Sequence, residues 1–264
     1  KIFSALQFII TIFFIYYTLS KLDLNKFSDV IKNINFLIIF SASIVYFISQ
    51  IISSERLRYI LNKNDLQISF NQNFTLYLIG LFYNFFIPSG IGGDAYKGFL
   101  FNKNLGWNLK KSLKLILLDR LIGLGVLCCI LIGLYEFVFI KLNFILIALS
   151  VISVSIIGYY LVKLIFRNES VYCKSFIYST LSHIIQFISI FIILYSLGIL
   201  NSYLEIILVF ILSSIFSVFS FGGVGIREYV FLSSAPILNF SPELAASIGL
   251  LFTFCAATVS YTHL

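Results

Sequence analysis

The chain has 264 residues, of which 60% are hydrophobic and only 11% charged. Its mean hydropathy is +1.02, and soluble domains carry nearer ~25% charge, so neither a soluble globular domain nor a disordered chain fits. The formal net charge of +7 needs no nucleic acid, because lysines at helix ends attract anionic lipid.

Sixty per cent of 264 residues is about 158 apolar side chains. At about 20 residues per membrane-crossing helix they allow about eight spans. The apolar runs are continuous rather than alternating, which argues against a β-barrel. In chain order they are 2–19, 36–52, 74–87, 113–135, 144–165, 176–197, 204–221 and 245–260. The first is too long for a signal-peptide core, and no small-residue cleavage site follows it. The third offers about 14 residues before Pro88, a length shared by short spans and re-entrant segments. Residues 89–112 are the longest polar stretch and read as a loop. Six to eight true crossings are expected, in a single all-α polytopic membrane domain over residues 1–264. The chain has no Met and ends in VSYTHL, so it reads as a fragment in which residues 259–264 are not native.

Four cysteines form no metal or redox pattern. Cys128, Cys129 and Cys255 sit inside apolar runs and Cys173 in a loop, without the CxxC or Cys/His spacing that a metal site needs. No metal and no cofactor is expected.

Basic residues mark the cytoplasmic side. If all eight runs cross, one side holds twelve Lys and Arg, including Lys97, Lys103, Lys110, Lys111, Lys114, Lys163, Arg167 and Lys174, against five on the other. If the third run is re-entrant, Arg56, Arg58 and Lys63 join that same side. Both readings place 97–114 and 163–174 in the cytoplasm. They differ over the N-terminus.

Two glycine-rich breaks stand out. Pro88-Ser89-Gly90-Ile91-Gly92-Gly93-Asp94-Ala95-Tyr96-Lys97 follows the third run, and Phe221-Gly222-Gly223-Val224-Gly225-Ile226-Arg227-Glu228-Tyr229 follows the seventh. Both read Gly-(Ile/Val)-Gly-x-charged-x-Tyr. Gly-interrupted segments at matching places in two halves point to a transporter-like site between repeats, with halves of about 1–135 and 136–264. Two ordinary extramembrane turns are the plainer reading. Glycine suits either, since it permits sharp reversal and close backbone approach. A helix restarting after such a loop offers its N-terminus to a phosphate.

Asp119 and Arg120 lie inside the fourth run. A charge there costs about 2.5–3.5 kcal/mol at mid-bilayer. Adjacent helical residues point about 100° apart, so each needs a partner elsewhere; Arg227, Glu228, Asp94 and Lys97 are the candidates. They form either an ion-pair staple between helices or a headgroup or proton site. His183, one turn from Gln186 in the sixth run, reads as an interhelical hydrogen bonder.

The segments PSGIGGDAYKGFLF, LLDRLIGL, FGGVGIREYVFL and SPELAASIGLLF resemble the membrane domain of lysylphosphatidylglycerol synthase/flippase proteins. The matching residues are Pro88, Gly92, Gly93, Asp94, Asp119, Arg120, Gly223, Gly225, Arg227 and Glu228. Lys97 stands where that family usually has Arg, which keeps the charge and loses the bidentate fork. The resemblance implies a helical bundle with two re-entrant elements that moves a lipid headgroup between leaflets of the cell membrane. The client would be an anionic or aminoacylated phospholipid, or a polyprenyl-phosphate or glycolipid. Arg120, Arg227 and Lys97 would hold its phosphate, with Asp94, Asp119 and Glu228 orienting those cations. The stretch carries none of the family's soluble aminoacyl-transferase domain, so lysyl-lipid synthesis is not expected of it. The alternatives are a non-catalytic partner of a cell-envelope glycosyltransferase and, third, a membrane-embedded lipid-modifying enzyme.

Overall fold

The computed structural model describes residues 2–86, 92–166, 169–217, 220 and 222–261. Every regular element among them is helical: α1 (Ile2–Lys21), α2 (Leu24–Lys32), α3 (Phe36–Asn62), α4 (Phe70–Phe86), α5 (Gly92–Leu105), α6 (Leu109–Tyr135), α7 (Phe144–Phe166), α8 (Tyr172–Ser196), α9 (Tyr203–Phe216), α10 (Ile226–Leu238) and α11 (Pro242–Tyr261). Side-chain caps start α2 at Asp23 and α6 at Asn108, each accepting from backbone N–H groups that the helix leaves unpaired.

Five helices are long and apolar enough to cross a bilayer: α3, α6, α7, α8 and α11. The α1–α2 pair, bent by 93°, makes a sixth if it counts as one span. This is the lower edge of the expected range, because two apolar runs give short helices. Run 74–87 becomes α4 with 17 residues and run 204–221 becomes α9 with 14. At 1.5 Å per residue their described parts rise about 25 and 21 Å, against ~30 Å for the hydrocarbon core. Residues 89–112 are not a loop: they hold all of α5 and the start of α6. Helix α3 continues past Ile52 to Asn62.

Apolar residues face outward and small polar ones inward. Phe144 and Leu164 on α7 are 79% and 77% exposed, while Ser49, Ser54, Ser175, Ser179 and Ser189 are fully buried. In lipid, apolar surface gains nothing by hiding, so helices associate through close backbone approach and hydrogen bonds.

The chain divides into two compact units. One comprises Ile48–Leu78 and Asp94–Ile184; the other comprises Lys1–Phe47, Ile79–Gly93 and Ile185–Leu264. In the first, Asn73 of α4 donates to the Ser54 carbonyl and hydroxyl of α3 at 2.8 Å, and Tyr77 donates to Gln50 at 3.4 Å. Advance along α4 thus matches retreat along α3. Helix α5 runs back beside α4, with Lys97 over the Tyr77 ring. It is antiparallel to α6 too: Asp94 meets Arg120, and the Phe101 ring packs on Trp107. Helix α8 is parallel to α6, with His183 against the Gly123 carbonyl and Ser182 bonded to Ser49 and Ser53 of α3.

Consequently the end of α3, the start of α4, the end of α5 and the starts of α6 and α8 share one end of this unit. Residues 87–91, between α4 and α5, lie outside the described residues. Arg58, Lys63, Lys103, Lys110, Lys111 and Lys174 gather at the same end.

In the second unit, α8 and α9 are antiparallel through Phe187–Phe210 and Phe191–Tyr203. Helix α10 turns back onto α11 through Asn239 at φ +54°. Tyr229 of α10 packs against Phe14 and Tyr17 of α1, and Glu243 at the start of α11 accepts from the Asp23 N–H at 3.3 Å.

Candidate functional site

The first unit gathers five charged groups. Asp94, third residue of α5, is buried. Arg120 Nε and Nη2 donate to its two oxygens at 2.8 and 3.0 Å. One turn along α5, the fully buried Lys97 brings Nζ to 2.7 Å from the same carboxylate and stands 4.8 Å from the Tyr77 ring centre. One carboxylate thus holds two cations.

Asp119 faces elsewhere and takes Arg56 of α3. Nε reaches Oδ1 at 2.7 Å and Nη2 reaches Oδ2 at 3.0 Å. The remaining Arg56 nitrogen, Nη1, donates to Ser179 of α8 at 2.8 Å. Gly123 makes room, since a methyl group there would stand 3.0 Å from that nitrogen. Asp94, Lys97, Arg120, Asp119 and Arg56 are therefore matched to one another, and they tie α3 and α5 to α6. Such bidentate, charge-assisted pairs are the strong kind. Arg120 found one of its expected partners, Asp94. Arg56 was missed as the partner of Asp119. Its signal was the spacing Ser49, Ser53, Arg56, which lies on one helical face once α3 is continued past Ile52.

The second unit holds the other candidate residues. Gly222, Gly223 and Gly225 have φ of +57°, +92° and +82°, a region open to glycine and strained for other residues. Helix α10 starts at once. Glu228, its third residue, accepts from the Gly225 N–H at 2.7 Å, where an acidic group also suits the helix dipole. Arg227 is buried, with its guanidinium carbon 5.0 Å from the Phe252 ring centre. Gly223 creates that space, because a methyl group would stand 2.8 Å from the same carbon. Gly249 lets α11 approach the Arg227 backbone at 3.0 Å. Among the described residues, Arg227 Nε and Nη1 and Glu228 Oε1 are buried without a hydrogen-bond partner.

The six expected charged residues thus fall into a matched set in one unit and, in the other, a pair that makes no salt bridge among the described residues. Gly92 and Gly93 open α5 as helical residues. Gly93 donates its N–H to Asn84 at 3.1 Å, and a methyl group there would run into the Gly80 carbonyl. Pro88, Gly90 and Phe221 lie outside the described residues. His183 Nε2 stands 3.3 Å from the Gly123 carbonyl of α6, the interhelical contact expected of it.

The family model for the lysylphosphatidylglycerol synthase TM region matches residues 4–174, well over half of the chain. This chain belongs to that family. It is a multi-pass membrane protein of a lipid-related family. The matched residues include Asp94, Lys97, Asp119, Arg120 and Arg56, and stop before the Gly222 to Glu228 segment. Comparison with curated proteins and with solved structures gave no match.

Proposed function

We propose that this member of the lysylphosphatidylglycerol synthase TM family moves a phosphate-bearing lipid headgroup between leaflets of the cell membrane, without chemical transformation. The client class is an anionic or aminoacylated phospholipid, or a polyprenyl-phosphate or glycolipid. The observation that carries the reading is Arg227. It is a buried guanidinium with two nitrogens that bond to nothing among the described residues, set on an aromatic face behind a glycine turn. A buried, unmatched cation costs several kcal/mol and is retained where it does work on a ligand. Arg and phosphate match in charge and geometry. Glu228 beside it would favour an amine-bearing headgroup. Asp94, Lys97, Arg120, Asp119 and Arg56 then act as positioning residues that hold α5 in place.

Proteoliposomes carrying fluorescent phosphatidylglycerol, lysyl-phosphatidylglycerol or polyprenyl-phosphate lipid in one leaflet test the proposal. Wild type should equilibrate at least one of them, and Arg227→Ala should lose that activity. No translocation of any, or translocation indifferent to Arg227→Ala and Asp94→Asn, overturns it. A non-catalytic partner of a glycosyltransferase would give that second, indifferent result.

A further inference from the structure

At the shared end of α3 and α8 lies a cavity of about 250 Å³, lined by Glu55, Arg58, Tyr59, Asn62, Lys63, Lys174 and Tyr178. The α3 residues follow a helical stripe, i, i+3, i+4 and i+7, with Lys63 directly after the helix end, and the two α8 residues are one turn apart, so the lining is a built face of both helices. Its only carboxylate is already engaged. Arg58 donates to both Glu55 oxygens, at 2.9, 3.0 and 2.6 Å. Lys174 sits over the rings of Tyr59 and Tyr178, at 4.8 and 5.8 Å. Among the described residues neither Lys63 nor Lys174 is within salt-bridge distance of a carboxylate. One anion and three cations leave the cavity with a surplus of two positive charges.

We infer that this cavity binds a phosphate-bearing anion, and that its place makes the anion a phospholipid headgroup. Helix α3, long and apolar enough to cross a bilayer, ends here, tyrosines belong at headgroup level, and lysines within a few ångströms of the surface attract acidic lipid. Tyr59 and Tyr178 can donate to phosphate oxygens while Lys63 and Lys174 supply the charge. The site is made of residues that the transport proposal does not use. It therefore stands whether or not Arg227 carries a client.

The full chain in nanodiscs or detergent, titrated with phosphatidylglycerol and separately with phosphatidylcholine, tests this inference. Lys63→Gln with Lys174→Gln should weaken phosphatidylglycerol binding about tenfold or more, with phosphatidylcholine unchanged and the unfolding temperature retained. Lys110→Gln with Lys111→Gln, the same charge change outside the cavity, should leave affinity as it is. Equal weakening by both pairs would mean diffuse attraction and overturn the site, as would no weakening by the first pair. Inorganic phosphate or glycerol phosphate binding wild type as tightly as the lipid would overturn the lipid assignment.

Discussion

Arg56 and Asp119 meet through two parallel hydrogen bonds of 2.7 and 3.0 Å, and Arg56 spends its third donor on Ser179. One pair thereby joins α3, α6 and α8. Removing either partner alone leaves the other as an uncompensated buried charge. Arg56→Ala or Asp119→Ala should therefore lower stability by about 3–5 kcal/mol. The double change Arg56→Met with Asp119→Leu should recover much of that. Thermal unfolding in detergent reads both, and a double variant as unstable as the worse single one would refute the pairing.

Asp94 serves two cations, so its loss should weigh more than the loss of either. Asp94→Asn strands Arg120 and Lys97 together. Lys97→Met leaves the two Arg120 bonds intact. The expected order of unfolding temperature is wild type, then Lys97→Met, then Asp94→Asn, with α5 in the last the first segment cut by protease. Reversal of the two variants would show that the cluster is not centred on Asp94.

The glycines separate by their surroundings. Gly93→Ala meets the Gly80 carbonyl, and Gly249→Ala meets the Arg227 backbone at 3.0 Å. Neither obstacle is a flexible side-chain tip. Each should cost about 1–3 kcal/mol or more, as overpacking does. Gly125 in α6 has nothing within 4 Å of such a methyl group, and Gly125→Ala should be neutral or stabilising by up to about 1 kcal/mol. Parallel melting curves for the three variants check this.

Arg227 should behave oppositely to Arg56. Both are buried guanidiniums, but two nitrogens of Arg227 have no hydrogen-bond partner among the described residues. Arg227→Gln should leave the unfolding temperature unchanged or raise it while lipid translocation falls. Binding sites commonly show this exchange of stability for function. A large loss of stability would mean that Arg227 is a structural staple.

The helical class and most crossings were legible, because a long apolar run has few alternatives in water or lipid. The 14-residue length of run 74–87 already set it apart from a plain span, and among the described residues α4 and α9 remain shorter than the five long helices. The polar look of 89–112 concealed α5, because Lys97 and Asp94 are buried by pairing with each other and with Arg120. A sequence shows charge and not its neutralisation in space. Asp94, Asp119, Arg120 and Arg227 were recognisable one by one from their placement in or beside apolar runs. What could not be read was the sorting into three matched pairings and one unmatched cation, since Arg56 lies 63 positions from Asp119. Long-range complementarity of that kind leaves no local periodicity.

Trp107 is the single tryptophan of the chain. Its ring lies 5.2 Å from that of Phe101, and its carbonyl accepts from Asn102 at 2.7 Å. The indole emission of this chain therefore originates where the end of α5 meets the start of α6. Displacement of α5 from α6 would wet that ring and move its emission to longer wavelength. The molecule carries its own optical gauge of the α5–α6 contact, readable during a lipid titration without a label.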